Sequence, residues 1–310
     1  MIRIYKNLEG QLQELQHPEV GCWINITGSD PTDREWIEQN LGEISESLID
    51  FQDVDEMSRV EKEDDYLTII LRIPHFSGVD SDKPFVTIPL VIILTDELII
   101  TACTEESVII SEFVKGRVKG AATVKRNRFL LLLLWKTANR YLLHLRNINK
   151  IVEELEDELE NSLQNKEIMA LLKYEKALIY YTTALKSNEA MMERLKRMLI
   201  FRAYEEDMEL LEDVLIENLQ AIEMTNISQN ILAQMTEAYS SIINNNMNNV
   251  IKFLTLVTIC ISLPTLISSF YGMNISLPGQ DSDKAFFVII AFSVGMVLAT
   301  ILFFRKKRWF

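Results

Sequence analysis

Between Ala121 and Leu263 the chain contains neither glycine nor proline. Both residues punctuate the first 120 positions, so their disappearance marks a change of architecture near Gly120. A stretch that long without a helix breaker is expected to fold as helices. The first is expected to include Phe129 and to continue to about Asn161. The second runs from about Lys166 to Ser187 or beyond and packs back as a hairpin, and the third starts at Tyr204. In the third, Met208, Leu211, Leu215, Ile222, Leu232, Met235, Tyr239 and Ile242 recur at roughly helical spacing. It is read as running unbroken into the apolar segment that follows. At 1.5 Å per residue, a helix from Tyr204 to Phe270 would reach about 100 Å, a stalk that packs against copies of itself.

From Phe253 to Phe270 there is no charge, over close to the ~20 residues needed to cross a bilayer. The polar exceptions share a seam. Asn248, Ile251, Thr255, Thr258, Ser262, Thr265, Ser269 and Gly272 follow one another at alternating steps of three and four, the repeat that keeps one face turned to a neighbour or a shared axis. Two readings compete: small hydroxyl residues where membrane helices pack closely, or the lining of a water-filled axis between several copies. Pro264 cannot donate to the helix ladder and is expected to kink it, freeing the carbonyl of Cys260 inside the membrane. Asn274 then offers a neutral amide oxygen at the membrane exit. These features favour a pore, with Ile251 and Leu254 as an apolar collar near its inner end. Upstream, Asn244-Asn245-Asn246-Met247-Asn248-Asn249 crowds poor helix formers together. Interhelical hydrogen bonds at a bundle neck account for such a run, and contact with a hydrated ion is assigned to Asn248 only.

A second uncharged span, Ala285 to Phe304, is followed at once by Arg305, Lys306, Lys307 and Arg308, whereas the loop from Tyr271 to Lys284 has one basic residue. The positive-inside rule therefore places both termini in the cytosol and the loop outside, as a multi-pass protein of the cell membrane. Residues 248–310 hold six basic and two acidic side chains, a net of +4, which leaves −18 of the total −14 on residues 1–247. That acidity argues against nucleic acid and is compatible with divalent cations; most of these carboxylates simply confer solubility. Three cysteines, Cys22, Cys103 and Cys260, lack metal-type spacing and point to a reducing cytosol. The opening Met1-Ile2-Arg3-Ile4-Tyr5-Lys6 has no secretory apolar core, so no signal peptide is expected.

The first 120 residues read as an α/β unit. Val20 to Thr27 is a strand; Ser29 or Asp30 caps a helix with Pro31 in its first turn, running to about Leu41. A second short helix covers Ile44 to Phe51. Asp65 to Ile73, Phe85 to Thr95 and Leu98 to Ala102 are β-branched runs between turn residues, and Pro89 marks its strand as an edge or a bulge. There is no Gly-rich phosphate loop and no nucleophile–base set, so an enzyme is not expected. His17, His75 and His144 stand alone as ordinary surface or core histidines. Phe129 to Trp135 is too short an apolar run to span a membrane and is read as a buried core helix. The acids from Glu153 to Glu160 form a solvated face beside a Leu155, Leu159, Leu163 seam. The whole is α+β: a cytosolic α/β domain (1–120), a helical hairpin and long stalk helix (121–247), a pore-lining transmembrane helix (248–271), an extracellular loop (272–284), a second transmembrane helix (285–304) and a basic cytosolic tail (305–310).

Tyr271-Gly272-Met273-Asn274, closing the first of two terminal hydrophobic helices, resembles the signature of the CorA family of magnesium (divalent cation) channels. Leu263-Pro264-Thr265-Leu266 upstream and the tail Arg305-Lys306-Lys307-Arg308-Trp309 belong to the same resemblance, and weaker similarity in the long helices extends it over most of the chain. It implies a funnel-shaped homopentamer in a lipid bilayer, with Tyr271, Gly272, Met273 and Asn274 as selectivity filter. Mg2+ would be both transported and regulatory, with no organic cofactor. The regulatory ion in the family lies between subunits. Leu48-Ile49-Asp50 and Glu212-Asp213-Val214 align with the stretches carrying that site, which implies Asp50 and Asp213 as a bridging pair whose bound ion favours the closed state. The chain departs from the family after the motif: many members carry an acidic Met-Pro-Glu-Leu-type segment, and here Ile275-Ser276-Leu277-Pro278-Gly279-Gln280-Asp281 stands instead, leaving Asp281 and Asp283 to attract cations. The alternatives are a Zn2+ (or Co2+/Ni2+) transporter of the ZntB-like branch, and a membrane-anchored cytosolic sensor or scaffold.

Overall fold

A computed structural model of the chain describes residues 1–8, 11–28, 31–42, 44–48, 53–79, 81–161, 165–198, 204–275, 277, 282 and 284–307. The strands are β1 (Ile2–Leu8), β2 (Gln11–Leu15), β3 (Trp23–Thr27), β4 (Arg59–Lys62), β5 (Tyr66–Phe76), β6 (Phe85–Thr95) and β7 (Ile99–Cys103). The helices are α1 (Pro31–Leu41), α2 (Ile44–Ser47), α3 (Val108–Val114), α4 (Arg126–Asn161), α5 (Asn165–Arg197), α6 (Glu205–Tyr271) and α7 (Ala285–Lys306). Two compact units result, Met1–Gln234 and Met235–Phe310.

The first unit is built on one seven-stranded sheet in the order β2-β1-β3-β7-β6-β5-β4, antiparallel except where β3 runs parallel to β7. Alternation along the strands divides the core in two. Ile24, Ile26, Ile70, Val91, Ile93 and Ile100 face Ile37, Leu41 and Leu48 of the α1–α2 segment. Trp23, Ile69, Leu71, Ile73, Leu90, Ile92 and Ile99 face the opposite layer, which includes Phe113, Phe129 to Leu134, Met191, Leu195, Leu211 and Val214. β5, β6 and β7 are covered on both faces, hence their near-continuous apolar sequences. β1, β2 and β4 are partly exposed and alternate too weakly to be read as strands from sequence. The Val20–Thr27 strand begins only at Trp23. Of the expected caps and helix ends, Ser29, Asp30 and residues 49–52 lie outside the described residues, as does Leu163.

Pro89 is not at an edge. β6 lies between β7 and β5, and Pro89 sits opposite Arg72 of β5. Arg72 directs its N–H to Asn188 Oδ1 (3.0 Å) and Ser58 Oγ (3.2 Å) rather than across to Pro89. On the other side, the β7 ladder stops at the Leu90–Cys103 pair. The proline's missing N–H thus falls where no ladder bond was required.

Phe129 to Leu134 of α4 are all buried, in the core cluster that joins the sheet to α5 and α6. Each such side chain contributes roughly 1.5–3 kcal/mol, which accounts for the apolar run as protein core. Two polar groups are buried in the same unit. The Arg72 guanidinium donates to Thr87 Oγ1 (2.7 and 3.1 Å), Thr87 O, Val54 O and Glu56 O (each 2.8 Å). The Arg72 carbonyl accepts from Asn188 Nδ2 (2.8 Å) and the Tyr141 hydroxyl (3.0 Å). One residue therefore ties β5 to the 53–58 segment, α4 and α5. His144 of α4 lies 2.7 Å from the Tyr181 hydroxyl of α5 and edge-on to Phe85.

Burial, reinforced by Arg140 and His75, pushes the His144 imidazole down to about 4, so it is neutral in the folded chain. Its contribution is complete above the ordinary histidine pKa near 6.5 and is lost as pH falls toward 4, because the unfolded chain then binds the extra proton. The full shift corresponds to about 3 kcal/mol. His144→Phe is expected to lower stability at pH 7.5, by orphaning the Tyr181 hydroxyl, yet to flatten the loss between pH 6.5 and 4. Denaturant midpoints of the full chain across that range check it; an unchanged pH slope would contradict the assignment.

Candidate functional site

α6 ends in a segment that the rest of the chain hardly covers. From Val250 onward none of its side chains is fully buried, and α6 and α7 are the two helices long and apolar enough to cross a membrane among the described residues. The sides of α6 are not equivalent. Leu256, Cys260, Leu263, Pro264 and Ile267 are half-buried, and Pro264 borders a cavity whose far wall is Ile289, Ser293 and Val297 of α7. The polar seam lies about 160° around the helix from that row, at 3.6 residues per turn. Asn248, Thr258, Ser262, Thr265 and Ser269 are exposed and Thr255 is half-buried, while Ile251 and Leu254 are 53% and 62% exposed. The chain's own second membrane helix therefore packs behind the seam and leaves it open.

Three of the five hydroxyls on this face share an orientation. Thr255 donates to the carbonyl of Ile251, Thr258 to that of Leu254 and Thr265 to that of Ile261, each at 2.8 Å. With its single proton committed to the residue four back, each oxygen presents only lone pairs outward. The face is thus a column of neutral acceptors. A hydrated cation turns its water oxygens inward and its water protons outward, so it is a donor to its surroundings, and an acceptor column is the complementary surface.

α6 continues through Pro264 and stops at Tyr271. The Gly272 N–H donates to Ser268 O (3.0 Å) and the Met273 N–H to Phe270 O (3.2 Å), closing the last turn of the helix. A Cβ on residue 272 would stand 3.3 Å from Ser268 O and 3.6 Å from Ser269 O, so glycine permits this close return of the chain onto the helix end. Tyr271, Met273 and Asn274 are exposed beyond it. Asn274 thereby follows the helix terminus at Tyr271 by three residues.

The expected regulatory pair is only half in view. Asp213 is exposed on α6 beside buried Val214, next to Glu212, which pairs with Lys196 at 3.2 Å. Asp50 lies outside the described residues, as do Asp281, Asp283, Arg308 and Trp309. Among the described residues no group of three or more His, Cys, Asp or Glu could hold a metal ion. His75 is paired with Glu105 (2.9 Å) and His144 is in the core, as ordinary histidines. Ser293 was invisible to sequence reading. It is the buried residue of α7, and its one signal was a lone serine amid Ile, Val and Phe.

Residues 18–306 match the family described as CorA-like Mg2+ transporter protein. The cobalt/magnesium transport protein CorA of Methanocaldococcus jannaschii is 29% identical over 316 residues, which cover 97% of this chain and 96% of that protein. The protein of the same description from Thermotoga maritima is 23% identical over 300 residues, covering 93% and 83%. The complete structure of the CorA magnesium transporter from Methanocaldococcus jannaschii superposes with a TM-score of 0.84 at 25% identity, covering 100% of this chain and 99% of that one.

The two sides of α6 should differ in reactivity in lipid vesicles. Cysteine placed at 258, 262, 265 or 269 is expected to react with a charged, membrane-impermeant thiol reagent, whereas native Cys260, on the α7 side, stays unmodified. Mass spectrometry of the labelled chain reads the result, and the reverse pattern would turn the seam toward acyl chains.

Proposed function

The chain belongs to the family of CorA-like Mg2+ transporter proteins, and we propose that it is a divalent-cation channel of the cell membrane that passes Mg2+ with its water shell in place. The observation that carries this reading is the acceptor column of α6, turned away from α7. Copies of the chain stand around an axis with α6 inside and α7 outside, as the pentamer implied by the family resemblance requires. Asn248 and the seam hydroxyls line the path, Ile251 and Leu254 form its apolar collar, and Tyr271 to Asn274 form the filter, with one Asn274 amide from each copy.

Mg2+ surrenders its water reluctantly. Neutral oxygens that bind the shell rather than the ion hold it weakly enough to release it. Residues 1–120 and 121–247 are the cytosolic domain and stalk, 272–284 the external loop and 305–310 a cytosolic tail, an orientation supported by the basic residues after α7. Asp50 and Asp213 bridge neighbouring copies through a regulatory Mg2+. Supporting this, Asp213 points out of the chain's own core while its neighbour Val214 points in. Loss of that ion leaves acidic faces in repulsion and releases the closed state.

Flux into proteoliposomes tests the reading. Wild-type protein is expected to admit Mg2+, and Asn274→Ala to slow influx by roughly tenfold or more, the equivalent of losing ~1.4 kcal/mol at the barrier. Equal flux in the two would remove the filter. Parallel measurements with Co2+, Ni2+ and Zn2+ identify the cation; passage of Zn2+ without Mg2+ would place the chain in the alternative zinc branch. Asp213→Ala is expected to raise the internal Mg2+ needed for half-inhibition. An unchanged inhibition curve would count against the bridging pair.

A further inference from the structure

Off to one side of the acceptor column, an open cavity of about 390 Å3 lies between the two membrane helices. Pro264 and Ser268 form its α6 wall; Ile289, Ser293 and Val297 contribute to the α7 wall. Pro264 has no N–H, so the Cys260 carbonyl lacks its i+4 donor and one rung of the ladder is missing. Broken rungs are where helices bend. Ser293 is 8% exposed, although most of α7 around it, including Phe292 and Val294, is open. A small side chain thus faces the weakest turn of α6, where Ile or Phe would fill the gap.

We propose that Ser293 is a positioning residue for ion conduction: its small side chain keeps open the space into which α6 bends at Pro264. The α6 wall of the cavity, Pro264 and Ser268, lies roughly 120° around the helix from the seam at 3.6 residues per turn, so bending into the cavity has a component that carries the seam away from the axis and widens the path. The conducting state therefore needs the cavity empty, and the non-conducting state tolerates it filled. This inference rests on the channel reading above.

The test compares Mg2+ influx into proteoliposomes at graded internal Mg2+ for wild type, Ser293→Ala, Ser293→Leu and Ser293→Leu combined with Ile289→Ala. Ser293→Ala, which keeps the space, is expected to stay within about twofold of wild type. Ser293→Leu is expected to cut maximal influx about tenfold and lower the internal Mg2+ that half-inhibits, with the Mg2+:Co2+ ratio unchanged. Removing Ile289's bulk, one turn from the new leucine on the same wall, returns space to the cavity and is expected to restore most of the influx, while the unchanged Mg2+:Co2+ ratio separates the effect from damage to the filter. Should Ser293→Leu fail to assemble, Ser293→Cys in a Cys260→Ala background is modified after reconstitution with alkyl methanethiosulfonates of increasing length. Influx should then fall with length, and not in the background lacking Cys at 293. Wild-type conduction in Ser293→Leu, absence of rescue by Ile289→Ala, or indifference to alkyl length overturns the proposal. No influx in the wild type would instead overturn the channel reading itself.

Discussion

α6 carries 67 residues, and a helix of that length owes its persistence to what its faces cover rather than to propensity. Its first part is anchored by ordinary means. Leu211, Val214 and Leu215 enter the core of the sheet unit, Asn218 donates to Leu185 O at 3.1 Å, and Ser228 to Asn149 Oδ1 at 2.7 Å. Its last part has no such partners: from Val250 no side chain is fully buried, and α7 covers only one side. Lipid can satisfy the remaining apolar faces. It offers no donor to the hydroxyl oxygens, whereas a neighbouring copy or water in a shared path can.

Much of this was legible in the sequence where one physical requirement dominated each position. The absence of Gly and Pro from 121 to 263 announced α4, α5 and α6, and burial on both faces announced β5, β6 and β7. β1, β2 and β4 escaped because half-exposed strands dilute their apolar alternation with Lys, Gln and Glu. Pro89 misled because its place in the sheet depends on where β7 ends, which its own strand does not encode. The seam of the candidate site was legible through its repeat. Ser293 was not, since a single serine has no period, and its meaning comes from a proline on another helix. The proposed Asp50–Asp213 pair would leave still less trace, being split between distant parts of the chain.

Arg72 shows the opposite use of polar groups. It is buried, and desolvation lowers its pKa, yet its guanidinium bonds to carbonyls and a hydroxyl rather than a carboxylate. An uncompensated buried cation is tolerable only when nearly every donor is matched. The matching oxygens come from β6 and the 53–58 segment, while Asn188 and Tyr141 hold the backbone of the same residue. Such a network favours one register of helices on the sheet, where the interchangeable Leu and Ile contacts around it would accept several. Rigidity of that kind suits the unit that carries Asp213.

The membrane segment solves a related problem without charge. A carboxylate among the seam residues would attract a divalent ion strongly and hold it, and would be costly to keep ionised between apolar helices. A free hydroxyl is cheaper but leaves a proton seeking an acceptor. Donation from Thr255, Thr258 and Thr265 to the carbonyl four residues back meets that need within the helix and fixes what remains outward as an acceptor. Gly272 extends the arrangement past the helix: with no Cβ to strike Ser268 O, the chain closes tightly enough for Asn274 to follow the last turn directly. In the proposed channel, hydroxyls inside the span and an amide at its end would offer the same chemistry to a hydrated cation, at strengths weak enough for it to move from one to the next.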